Sequence, residues 1–125
     1  MNATKARRRP RRSPFTPRVK VWLEIDGRYV FGLGISEILR AVGETGSIKR
    51  AAQALGKSYR YAWGRIKEAE RSLGQPLVRT QVGGKGDQRS TLTPAAQRYA
   101  RAFLALRGRI QDLLHDEFDR QFGPS

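Results

Sequence analysis

Lys57, Ser58, Arg60, Tyr61, Gly64, Lys67 and Arg71 occur in one short stretch of the chain, and the chemistry they offer is non-covalent. Guanidinium and ammonium groups reach guanine edges or phosphates, and tyrosine can contact a base, a thymine methyl or a phosphate. A glycine lets a backbone approach closely. A second group follows in GGKGDQRS, where Lys85 and Arg89 stand among Gly83, Gly84 and Gly86. Such a loop has the backbone freedom to lie against phosphates and the charge to hold them. Both groups suit a polyanion, although the first could also be an ordinary solvated helix face and the second an ordinary flexible hairpin tip.

The segment from Gly46 to Leu73 has the pattern that would position the first group. Ser47 is a suitable N-cap, and Ile48, Ala51, Ala52 and Leu55 recur at i, i+3, i+4 and i+7, which predicts a short amphipathic helix. Gly56 closes it in a left-handed conformation, and Ser58 caps the next helix. In that helix Ala62, Ile66, Ala69 and Leu73 form a narrow apolar stripe flanked by Tyr59 and Trp63, which are expected in the core. The two helices and their short turn read as a helix-turn-helix, with Lys57, Arg60, Tyr61, Gly64, Lys67 and Arg71 on the outward side.

Around this pair, Val19 to Ile25, Asp26-Gly27 and Tyr29 to Phe31 read as a hairpin with a primed turn and an untidy apolar register. Gly32 and Gly34 should break it. Ile35, Ile38, Leu39 and Val42 predict a helix ending at Gly43 or Gly46. Residues 76–82 read as a strand, 83–90 as a loop and Thr91-Leu92 as a short returning strand, which together make a wing behind the second helix. Thr93-Pro94 should cap and start a last helix. Along it Ala96, Tyr99, Phe103, Leu106, Ile110 and Leu113 follow heptad spacing. The stripe could pack on its own domain, but its length favours a dimer interface at Tyr99, Phe103, Leu106, Ile110 and Leu113. The expected fold is therefore mainly α with small β elements. It is a winged helix-turn-helix over residues 17–93, with a dimerisation helix over 94–122, a disordered basic arm over 1–16 and a tail over 123–125.

The formal charge of +14 on 125 residues is large enough to call for a polyanionic partner. Lys5, Arg7, Arg8, Arg9, Arg11, Arg12, Arg18 and Lys20 precede any acid, whereas Asp112, Asp116, Glu117 and Asp119 collect near the other end. The arm could attract phosphates or enter a minor groove, or serve only as a solubilising tail. No cysteine is present, which excludes disulfides and zinc-thiolate fingers. No apolar run approaches a membrane span, and the basic start lacks the apolar core of a signal peptide, so a cytoplasmic, nucleoid-associated protein with no membrane partner is expected.

Gly56-Lys57-Ser58 looks like the end of a phosphate-binding loop, but the position where that loop needs its first glycine is Ala51, inside a helix. His115 is the single histidine, and no serine or threonine has it at plausible spacing as a base. Neither an enzyme nor a cofactor or metal is expected.

From Gly46 to about Leu106 the chain resembles the N-terminal DNA-binding domain of the ModE family, molybdate-responsive regulators with LysR-like winged helices. The resemblance rests on TGSI from Thr45, SYRYAW from Ser58, Pro76-Leu77-Val78, GGKG from Gly83 and Leu92-Thr93-Pro94. It implies a homodimer on a pseudo-palindromic operator in double-stranded DNA, with the helix from Ser58 in the major groove and the wing on backbone or minor groove. It does not imply molybdate binding, whose site in full-length members lies in separate C-terminal domains. Control by a protein co-regulator is then open. Two other readings remain: an architectural protein coating DNA with little sequence choice, and a protein-interaction module docked through its last helix.

Overall fold

The computed structural model describes residues 13–83 and 88–123. The elements are β1 (Trp22–Ile25), β2 (Arg28–Gly32), α1 (Leu33–Thr45), α2 (Ile48–Ala54), α3 (Tyr59–Leu73), β3 (Val78–Val82), β4 (Gln88–Leu92) and α4 (Pro94–Phe122). They fall into two compact units, Val21–Leu106 and the two chain ends, Met1–Lys20 with Arg107–Ser125.

In the larger unit β1 and β2 pair antiparallel across a two-residue turn, Asp26 at φ 51° and Gly27 at φ 78°. Positive φ at both positions is what a primed turn needs. The register slips between Leu23 and Glu24, which leaves Val30 as an extra residue on β2. That bulge explains the untidy apolar pattern, because it lets the consecutive residues Val30 and Phe31 both be buried. Gly32 ends the hairpin and is the N-cap of α1, while Gly34 lies in the first turn of that helix.

The core is built by the helix stripes that the spacing predicts. Ile35, Ile38, Leu39 and Val42 of α1 meet Ala51 and Ala52 of α2, and Ala62, Ile66 and Ala69 of α3, with Leu77 and Phe31 completing the cluster. The α1 helix runs through Gly43 and stops at Gly46. A side chain at Gly43 would place its Cβ 3.2 Å from Leu92 Cδ1, so this glycine serves close packing against the strand.

Ser47 Oγ accepts from the Arg50 N–H at 3.0 Å, capping α2. At its far end the Gly56 N–H donates to the Gln53 carbonyl and the Lys57 N–H to the Ala52 carbonyl, 3.1 and 2.9 Å away. With Gly56 at φ 69°, these two bonds complete a Schellman motif. The chain is thereby reversed within a few residues and delivered to Ser58, whose Oγ accepts from the Tyr61 N–H at 3.0 Å and caps α3.

The wing strands pair from Val78 with Leu92 to Val82 with Gln88, so β4 begins three residues before the predicted returning strand. Pairing extended further because Gln88, Arg89 and Ser90 can form ladder bonds whatever their polarity, and Ser90 is buried against Thr80, their hydroxyls 3.0 Å apart. Thr93 fastens the base of the wing. It donates its N–H to Leu77 and its hydroxyl to the Pro76 carbonyl, and its Oγ1 accepts from the Ala96 N–H at the start of α4.

The first half of α4 belongs to this unit, since Ala95, Ala96 and Phe103 are buried in it. The compact unit thus extends past the expected boundary at residue 93, because Phe103 closes the core over Phe31 with ring centroids 5.6 Å apart. In the smaller unit Phe118 stacks on Phe122, and Phe15 meets Phe122 edge-on. Phe15 falls within the expected arm, of which residues 1–12 lie outside the described residues; so do 124 and 125 of the tail.

Candidate nucleic-acid interface

Arg60, Gly64, Lys67 and Arg71 fall on successive turns of α3 and, at about 100° per residue, share an arc of roughly 60° opposite the buried stripe. The cap at Ser58 uses an oxygen lone pair and leaves the exposed hydroxyl able to donate. Tyr61 is 42% exposed, with Lys57 Nζ 5.2 Å from its ring centroid. The result is a helix face of cations and one phenol around a glycine, at the capped N-terminal end where helix N–H groups favour anions.

The structure separates some expected members of the site. Lys67 is not free to reach outward without cost, because its Nζ is 3.3 Å from Glu70 Oε1 and 5.6 Å from the Trp63 ring centroid. Arg71 lies at the far end of the face, lining a depression with Glu68 and the Asp26 to Tyr29 turn. Arg89 stands on β4 rather than in a loop, paired with Gln81. It lines a depression with Glu44 and Thr45, whereas Gln88 lines the cleft beside α3 and Ser90 borders both. Lys85 lies outside the described residues.

Tyr59 and Trp63, expected in the core, are 48% and 43% exposed. For Trp63 the reason is angular. Trp63 is about 90° from the centre of the Ala62, Ile66, Ala69 and Leu73 stripe, too far round the helix to be covered. Glu70 is a residue the sequence reading passed over. Its Oε2 accepts from the Leu77 and Val78 N–H groups at 2.8 and 3.2 Å, tying the wing to α3. The available signal was an acid three residues after Lys67 on a helix that a strand must follow.

The expected dimer seam is also divided. Phe103 is 1% exposed and is spent on the core of its own chain. Tyr99 is tilted against Phe31, and its hydroxyl accepts from Gln75 Nε2 at 2.9 Å. Tyr99 is half-buried, and Phe103 offers no free face to a second copy. Leu106 and Leu113 offer one, at 42% and 61% exposure, with Ile110 half-buried. Among the described residues no group of three potential metal ligands converges, and no helix is long and apolar enough to cross a membrane.

With this geometry, the match of residues 36–97 to the bacterial regulatory helix-turn-helix proteins of the lysR family is decisive. Residues 36–97 form a lysR-type helix-turn-helix domain. Among similar proteins, the molybdenum transport protein ModE of Herbaspirillum seropedicae is 38% identical over 78 residues, 62% of this chain and 29% of that protein. The molybdenum-pterin-binding protein MopB of Rhodobacter capsulatus is 36% identical over 77 residues, 62% of this chain and 28% of its own. The chain therefore spans less than a third of the length of these relatives. The crystal structure of a CbnR_DBD–DNA complex superposes with a TM-score of 0.52 at 26% identity, covering 67% of this chain and 94% of that one. BenM_DBD in its complex with benA site 1 DNA has a TM-score of 0.54 at 19% identity, covering 75% and 100%, a likeness of fold. The lysR-type domain here thus has the winged helix-turn-helix architecture of DNA-binding domains, with the β1–β2 hairpin ahead of the matched segment.

Proposed function

We propose that this chain is a sequence-specific regulator of transcription that binds double-stranded DNA as a homodimer and acts by binding rather than by catalysis. The observation that carries it is the exposed face of α3, on which Arg60, Gly64, Lys67 and Arg71 share one arc of a helix delivered by a short capped turn. Arg60, Tyr61 and Gly64 meet base edges in the major groove, with Ser58 and the first turn of α3 near a phosphate. Lys57, Lys67, Arg71, Lys85 and Arg89 hold the sugar-phosphate backbone. Such a protein works in the cytoplasm on the nucleoid, and a protein co-regulator supplies its control where no small effector does.

The test is selection of bound fragments from genomic DNA, followed by affinities for the best site and for random duplex across a salt series. A pseudo-palindromic motif bound at least about a thousandfold tighter than random DNA is the expected result. Enrichment without a motif and a steep salt slope would instead favour a coating protein, a reading to which the charge of +14 lends weight. Negligible DNA binding at physiological salt would leave a protein-interaction module.

A further inference from the structure

Between α3 and the wing runs a cleft of about 270 Å³, lined by Tyr59, Trp63 and Lys67 from the helix, Thr80 and Gln88 from the strands, and Lys49 from α2. Tyr59 and Trp63 are one helical turn apart and expose nearly half their surface, although aromatic rings of this size supply much of the burial in a small domain. The cleft therefore combines apolar ring surface, two ammonium groups and neutral donors. A deoxyribose-phosphate unit has the complementary make-up, with apolar sugar carbons next to anionic oxygens.

Position on the helix favours backbone over base. Trp63 lies roughly 110° round α3 from the centre of the face that Arg60, Tyr61 and Gly64 turn to the base edges. When that face points at the groove floor, a side chain so far to its flank meets the groove wall, which is sugar and phosphate. Resting on the proposed docking of α3 in a DNA groove, we infer that this cleft seats one sugar-phosphate unit of the duplex. Trp63 and Tyr59 pack on the deoxyribose, and Lys49 and Lys67 flank it at the phosphates. The seat adds affinity and fixes how deep the helix sits, without reading sequence.

The full chain and a mixed-sequence duplex suffice for the test. Trp63→Ala is expected to lower affinity about tenfold, the equivalent of losing roughly 50 Å² of apolar burial, on random and selected sequences alike. The salt slope should not change, because no charge is removed. Trp63→Phe should keep most of the affinity, which guards against a folding defect in the alanine variant. The chain has two tryptophans, so in Trp22→Phe the emission comes from Trp63 alone, and saturating duplex should shield it from acrylamide. Undiminished binding by Trp63→Ala, or unchanged quenching of Trp63 in a DNA complex that does form, would overturn the seat while leaving DNA binding intact. A loss confined to the selected sequence would also overturn it, by making Trp63 a base reader. If the unaltered chain fails to bind duplex at all, the regulator reading falls first and the seat with it.

Discussion

Gly64 stands in the middle of α3 with no heavy atom within 4 Å of the place a Cβ would occupy, so packing does not demand a glycine there. A glycine in a helix interior costs roughly 1 kcal/mol relative to alanine, and its position on the outward face points to close approach of DNA. Gly64→Ala is accordingly expected to raise stability by about 1 kcal/mol in denaturant unfolding, and Gly64→Leu to raise it nearly as much while lowering DNA affinity sharply. Unimpaired binding by the leucine variant would remove Gly64 from the interface. For its neighbour Arg60 the expectation divides differently. Arg60→Ala should cost about 1–3 kcal/mol on the selected site and relax sequence preference, whereas Lys85→Ala should weaken all sequences alike and flatten the salt slope by about one unit. Equal losses on selected and random duplex for Arg60→Ala would make it a backbone contact.

At the scale of elements, one carboxylate couples α3 to the wing. Glu70 accepts from the Leu77 and Val78 N–H groups with one oxygen, while the other oxygen holds Lys67. Leu77 is buried, so removing the acceptor strands a donor where water has poor access. Glu70→Ala should cost about 1–3 kcal/mol in chemical unfolding and loosen the wing, seen as faster amide exchange at Leu77 and Val78; unchanged exchange would show that the wing holds without it. This coupling illustrates where legibility stops. Caps, stripes and the primed turn depend on neighbours in sequence, so Ser47, Gly56, Ser58 and Asp26-Gly27 could be assigned from the chain alone. A side chain that accepts from backbone seven and eight residues away has no periodic signature. The same limit applies to Trp63, whose aromatic character pointed inward while its helical angle left it outside, and to Phe103. Heptad spacing cannot tell a seam for a second copy from a stripe that closes its own core; the ring of Phe31 decided it.

At the scale of the molecule the question is what the rest of the α4 stripe is for. With Tyr99 and Phe103 used within the chain, Leu106, Ile110 and Leu113 remain at i, i+4 and i+7, and Leu113 is the most exposed of them at 61%. Three apolar residues make a short seam, yet a two-fold pair needs little more when both partners are also held on one duplex. Such a pair presents two copies of α3 to half-sites one helical turn, about 34 Å, apart. Binding to both half-sites then gains from linkage, since the second helix docks at the high local concentration set by the first. In the proposed dimer, Leu113→Glu would place two carboxylates against each other across the axis and should shift sedimentation toward monomer. It should also cut affinity for a paired site by about 10²-fold or more while leaving affinity for a single half-site nearly unchanged. Equal affinity of the unaltered chain for paired and single half-sites, with monomer alone in the centrifuge, would show that α4 does not dimerise the protein and that Leu113 faces solvent for another reason.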